Sequence, residues 1–364
     1  MDKKKSKLSS GREYTVKEEK ILPLKECIGQ GSIERIDNLF VKDFFSIKNM
    51  ELTNLTDKQE IYIVGENGDG KTLLLQAIVI SLFGVREGDV FNLVKNLNKP
   101  YSCSRSKNKT PIGSNVNINL LAYGASRNND CPLEKERVGY LTLFKNRYYL
   151  NRPEEWLIDI YNAEKSDEKT ILSVLEAKEL LSRLLEKNIE IDITYNKVIF
   201  KEKGSEVSFE QLSAGYKSVI TIVCDLIIRF SEKQQVSKIA DFQGVVLIDE
   251  IELHLHPKWQ YGFMNKLRET FPLIQFIVTT HSPTVLLGAG MEAVYYQIYK
   301  DEGVVKVSEQ KDVKNDFFND IQSDIFGFDV NDERINNPSE DDKKRQKRAK
   351  ENLLNLIDTI EKEQ

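Results

Sequence analysis

Apolar residues recur along this chain in three rhythms. Ile61 to Val64, Gly244 to Ile248 and Ile274 to Thr279 are short runs of strand length with little polar interruption, the pattern of strands covered on both faces. Leu73 to Phe83 and Val219 to Phe230 are longer and predict buried helices. Alternation from Leu39 to Lys48 predicts strands that pair ahead of the first buried one, and Val116 to Tyr123 reads as a further strand. Ile189 to Phe200, broken at Tyr195, and Val294 to Val307, turning at Asp301-Glu302-Gly303, predict hairpins. From Tyr140 to Glu186 the chain reads as mainly helical, with Pro153 at a helix start and apolar residues three and four apart from Ile171 to Leu185. Buried strands interleaved with helices predict an α/β fold. No long heptad run occurs, which excludes an extended coiled-coil arm.

Composition places boundaries on this pattern. The chain has 364 residues and a net charge of −5, enough for two ordinary domains or one large unit with insertions. Residues 1–30 are polar and lysine-rich and read as a flexible basic arm, 31–310 as the main α/β unit with a helical insertion at about 130–187, and 311–364 as a charged helical extension. In that extension Phe317 to Phe328 reads as cover for a sheet edge, and a basic run, Lys343 to Lys350, precedes apolar residues at helical spacing. The acidic balance argues against a surface that coats nucleic acid uniformly, though not against a local basic groove. Cys27, Cys103, Cys131 and Cys224 are scattered without a C-x-x-C pair, so neither a metal knot nor a disulfide framework is expected. No apolar stretch approaches the roughly 20 residues of a membrane span, and the N-terminus has no apolar signal core, so a cytoplasmic protein without membrane contact is expected.

The chemistry concentrates where strands end. Gly65-Glu66-Asn67-Gly68-Asp69-Gly70-Lys71-Thr72 bridges the first buried strand and the first buried helix. Such a bend aims backbone N–H groups and a helix N-terminus at one point, which favours the phosphates of a nucleotide. Gly65, Gly68 and Gly70 permit unusual backbone angles and close approach, Lys71 supplies a cation, and the Thr72 hydroxyl suits Mg²⁺. Leu212-Ser213-Ala214-Gly215 opens the second buried helix with Ser213 at the capping position, another helix N-terminus suited to phosphate. Gly244 to Ile248 ends in Asp249 and Glu250, placed to hold Mg²⁺ and to polarise water respectively, and Ile274 to Thr279 leads to Thr280-His281-Ser282-Pro283, where His281 can reach a terminal phosphate.

GENGDGKT, LSAGYKS, VVLIDE, ELHLHP and TTHSP stand in the order and spacing of ABC-type ATPase heads, and their variants resemble the RecF/SMC-like branch. AYGASR and the PEEWL segment make the chain most similar, within that branch, to compact anti-phage ATPases of the Septu and retron-associated kinds. The resemblance covers roughly residues 33–290. It implies an ABC-ATPase head with a mixed central sheet, N-terminal antiparallel strands and a helical insertion before the signature motif. It also implies ATP and Mg²⁺ as ligands and a head-to-tail homodimer with two nucleotides sandwiched between copies, higher oligomers being left open. Gly65, Asn67, Gly68, Gly70, Lys71 and Thr72 would cradle the phosphates, Thr72 and Asp249 the metal, Glu250 the attacking water, and His281 the γ-phosphate. Ser213 and Gly215 would reach the partner copy's nucleotide. One departure stands out: no glutamine lies between Gln76 and Gln211, where ABC heads carry one; Tyr123, Ser126 or Arg127 are the candidates for its place, the alternative being that water completes the metal's coordination.

Two functions fit these expectations. One is an ATPase that dimerises on MgATP and restrains a separate nuclease or toxin subunit. The other is a repair or recombination ATPase that clamps DNA directly, gripping through the basic stretches Lys99 to Lys109 or Lys343 to Lys350. A transporter ATPase fits less well, because of the missing glutamine and the ELHLHP segment.

Overall fold

The computed structural model describes residues 5–7, 13–15, 35–85, 87–95, 97, 101–104, 119–128, 134–186, 189–202 and 204–313. Short strands at Lys5–Lys7 and Glu13–Thr15 pair antiparallel, where the sequence reads only as an arm. A ten-stranded mixed sheet organises the rest, in the order Ser102–Ser104, Leu39–Phe44, Ile47–Leu52, Val304–Val307, Val294–Asp301, Glu60–Val64, Ile274–Thr280, Gly244–Ile248 and Leu120–Tyr123, with Lys311–Asp312 beside Val294–Asp301. Glu60–Val64, Ile274–Thr280, Gly244–Ile248 and Leu120–Tyr123 run parallel. The wing formed by Leu39–Phe44, Ile47–Leu52 and Ser102–Ser104 is antiparallel. This is the mixed sheet with early antiparallel strands expected of an ABC-type head.

Period-two alternation sends each central strand's side chains to opposite faces. Val245 and Leu247 join a core with Ile61, Ile63 and the helix Lys71–Phe83, whereas Val246 and Ile248 join a second core with Tyr62, Val64 and the helix Ala214–Lys233. The two helices that open on phosphate-suited turns therefore lie on opposite sides of one sheet. Helix Lys71–Phe83 is buried nearly all round, which explains a sequence that is apolar without a stripe.

The middle of the chain differs in detail from its expected form. Its α-helices are Pro153–Lys165 and Val174–Leu184, the latter started by a Ser173–Glu176 capping box. The described part of 134–149 holds only short strand and 3₁₀ pieces. They are organised by buried Glu136, whose carboxylate accepts from the N–H groups of Val138, Gly139, Leu141 and Thr142 at 2.5–3.1 Å. A carboxylate that satisfies four amides can hold a segment with no regular structure. The hairpin Ile189–Ile193 with Val198–Glu202 forms as expected and gains a third strand, Ser205–Val207, from its polar exit. The strand at Leu120–Tyr123 is the described end of the longer expected one. Phe317 to Phe328, the basic run Lys343 to Lys350, the basic residues Lys99, Arg105, Lys107 and Lys109, and most of the N-terminal arm lie outside the described residues. Among the described residues no helix is long and apolar enough to cross a membrane.

Candidate active site

The phosphate loop leaves the strand Glu60–Val64 and is seated by residues far away in sequence. A Cβ on Gly65 would lie 2.3 Å from the carbonyl oxygen of Ile298, so only glycine lets the loop pass that strand. Gly68 and Gly70 have φ of 89° and 96°, left-handed values that favour glycine. Gly70 caps the helix, and a Cβ there would press on Val305 at 3.1 Å. The face of Gly68 is open, with nothing within 4 Å of its missing Cβ.

Lys71 is only 6% exposed, and its ammonium donates to the carbonyls of Gly65 and Glu66, both at 2.8 Å. Burial lowers its pKa, and Asp69, Glu252, Asp249 and Glu250 act in the opposite direction. An ammonium has three donors, so one remains for a ligand. The Thr72 hydroxyl donates to Asp249 Oδ2 at 2.7 Å, and Thr279 donates to Asp249 Oδ1 at 2.6 Å. Asp249's carboxylate is thus held from one neighbouring strand, Ile274–Thr280, and from the loop helix.

Glu250 has φ of 47°, a strained value for a residue with a side chain. Both flanking peptide groups are pinned: its N–H donates to Thr279 Oγ1 at 2.8 Å, and its carbonyl accepts from Arg127 Nη2 at 3.0 Å. The half-buried carboxylate itself has no hydrogen-bond partner among the described residues. Arg127 also donates to the carbonyl of Asp249 at 2.7 Å and reaches Ser218 at 3.5 Å on the signature helix, Ala214–Lys233, which opens on the LSAGYKS motif. Burial brings its pKa down to about 10, which leaves it charged at neutral pH. Arg127 is therefore a brace that ties both acids to the helix behind them, three of its hydrogen bonds going to backbone carbonyls and one to Ser218.

Tyr123 does not take the missing glutamine's place. Strand alternation turns it to the opposite face, where its hydroxyl bonds Asp225 at 3.1 Å inside a buried cluster with Arg229. Nothing is described of the Ser126 side chain.

Ser213 caps the signature helix and accepts from the Tyr216 N–H at 3.4 Å. Ser213 is exposed and Gly215 is buried. A Cβ on Gly215 would stand 2.8 Å from the His254 carbonyl oxygen and 3.8 Å from the Trp259 ring. This glycine lets the signature turn dock on the loop that follows the acids, a use of its small size by the chain itself.

His281 exposes 47% of its side chain while its Nδ1 lies 2.6 Å from Glu252 Oε1. Glu252 and Thr279 complete the site and were not singled out by sequence reading. Their signals were present, Glu252 two residues past the second acid and Thr279 at the end of the His281 strand. Nothing in a linear pattern ties them to His281 and Asp249.

A family model described as "AAA domain, putative AbiEii toxin, Type IV TA system" matches residues 132–287. That span holds the signature turn, the acids and His281, and starts after the phosphate loop. A Septu protein PtuA of Bacillus mycoides (strain KBAB4) is 27% identical over 90% of this chain and 50% of its own length. A Retron Vc95 probable ATPase of Vibrio cholerae serotype O1 biovar El Tor is 36% identical over 44% of this chain and 30% of its own. The Retron Ec83 probable ATPase of Escherichia coli is 43% identical over 24% of this chain and 16% of its own. The chain spans half or less of the length of these relatives. A solved SMC head bound to the C-winged helix domain of ScpA aligns with a TM-score of 0.46 at 16% identity, covering 77% of this chain and 99% of that one. The sequence likenesses relate the chain to ABC-type ATPases of the Septu and retron kinds, the relation expected from its motifs.

Proposed function

We infer that the chain is an ATP-hydrolysing ABC-type head that pairs with a second copy over MgATP and thereby restrains a separate nuclease or toxin subunit in anti-phage defence. The observation that carries the pairing is the placement of the two phosphate-suited helix N-termini on opposite faces of one sheet. A signature turn docked against its own acid loop at Gly215 is poorly placed to cover its own phosphate loop. A second copy, arranged head to tail, can cover it.

The residues fit Mg²⁺. Thr72 and Asp249 offer a hydroxyl and a carboxylate 2.7 Å apart, hard oxygen donors few enough for an ion that keeps waters and phosphate oxygens around it. When bound, the ion neutralises charge on the triphosphate. The chain's own residues do the rest. The loop amides and Lys71 hold the phosphates, Glu250 orients and polarises the attacking water, and His281 meets the terminal phosphate. Ser213 of one copy brings its helix N-terminus to the phosphate held by the other. The chemistry read from the chain is nucleotide hydrolysis, so cutting or poisoning falls to another subunit. The names of the Septu and retron relatives support the defence setting.

Complementation tests the pairing. Lys71→Ala and Ser213→Arg are each expected to be inactive alone. Mixed in equal amounts, they are expected to recover about a quarter of wild-type turnover, because half of randomly paired dimers contain one intact composite site. An inactive mixture under conditions where the two variants co-purify overturns the shared site.

DNA binding separates the two biological readings. Restraint of a partner requires no intrinsic DNA grip, so the purified protein with MgATP is expected to show no salt-dependent affinity for duplex DNA in an anisotropy titration. An affinity that falls steeply with salt and disappears on charge reversal of Lys343 to Lys350 would instead establish the clamp.

A further inference from the structure

We propose that Glu252 is a positioning residue that turns His281 so that Nε2 alone faces the terminal phosphate, an inference that rests on the ATPase reading of the site. Glu252 Oε1 lies 2.6 Å from His281 Nδ1 and accepts from the His281 backbone N–H at 2.9 Å. One oxygen thus holds both the ring and the backbone of the same residue. The carboxylate is 6% exposed while the histidine side chain is 47% exposed, so the pair runs from the interior to the open surface with the ring outermost.

An ionised carboxylate can only accept, so the proton between the two groups belongs to Nδ1. This leaves Nε2 at the outer end of the ring, without a partner among the described residues. The other carboxylate oxygen, Oε2, is buried and unpartnered. A buried acceptor left unsatisfied destabilises a fold, and an apolar side chain would fill this space without that cost. Glu252 also places a favourable charge near buried Lys71 and Arg127, and its one hydrogen-bonded oxygen is directed wholly at His281. Ring orientation by a carboxylate on the inner nitrogen is a general way of fixing which nitrogen a histidine presents.

The chain has three histidines, which makes imidazole nitrogen NMR a direct assay on the protein without nucleotide. Selectively ¹⁵N-labelled wild type at mildly alkaline pH is expected to show His281 as the Nδ1–H tautomer, assigned by its loss in His281→Ala. Glu252→Gln, nearly isosteric, is expected to shift this resonance pair toward a mixture of tautomers, since an amide can donate or accept. In binding titrations, Glu252→Ala and His281→Ala are each expected to weaken MgATP about 10-fold and to leave ADP within about twofold. The double variant is expected to lose no more than either single one.

A wild-type His281 found as the Nε2–H tautomer, unchanged in Glu252→Gln, overturns the proposal. Additive losses in the double variant overturn it as well. If the wild type fails to bind MgATP while the tautomer behaves as expected, the ATPase reading fails and the Glu252–His281 pairing stands.

Discussion

Glu250→Gln is expected to bind MgATP with near wild-type affinity, to hydrolyse it about 10²–10⁴-fold more slowly, and to accumulate as a nucleotide-bridged dimer. The substitution keeps size and leaves intact every backbone contact that fixes this position, since Thr279 and Arg127 grip the peptide groups and not the carboxylate. What it removes is the acceptor able to draw a proton from water. A strained φ of 47° at a residue pinned from both sides is the mark of a side chain whose direction is fixed before substrate arrives. Single-turnover kinetics with size-exclusion chromatography in MgATP checks both halves of the expectation. Wild-type turnover by this variant would remove Glu250 from the mechanism, and a slow variant that stays monomeric would remove the shared site.

Lys71→Ala is expected to lose at least about 100-fold in ATP affinity, equivalent to roughly 2.8 kcal/mol. The ammonium is held by two loop carbonyls at 2.8 Å, so truncation removes both the charge and the brace that ties the loop to its helix. ADP binding should fall as well, because the loop that cradles the shared phosphates loses its internal support. Burial works against the charge of Lys71, so its removal relieves a desolvation cost. The nucleotide-free variant is accordingly expected to melt within a few degrees of wild type. Equilibrium titration with a fluorescent ATP analogue, alongside thermal melts, distinguishes loss of binding from loss of folding.

How much of this site was legible depended on how local its causes are. The phosphate loop, the capping Ser213 and the acids at a strand tip follow from neighbouring residues, and their spacing predicts geometry that the fold reproduces. Arg127 was visible as a candidate for the missing glutamine's place, yet its role as a brace depends on carbonyls of Asp249 and Glu250 just past the end of a distant strand. Tyr123 misled because its neighbours in sequence lie at the rim while alternation turns its own side chain toward Asp225. Glu136 gave no sign at all: a lone glutamate among charged residues becomes the organiser of a loop only when four amides converge on it. The sheet order was similarly hidden, since Val294–Asp301 pairs in parallel with Glu60–Val64, a match between distant segments that no periodicity encodes.

That last pairing has a consequence for how the protein is made. The phosphate loop leaves the ribosome early, but the carbonyl of Ile298 and the side chain of Val305, against which Gly65 and Gly70 are seated, emerge near the end of the described chain. A nascent polypeptide stalled between them carries every residue of the nucleotide motif and lacks the wall that shapes it. A phosphate loop of the observed shape is therefore expected only once translation has passed Val305.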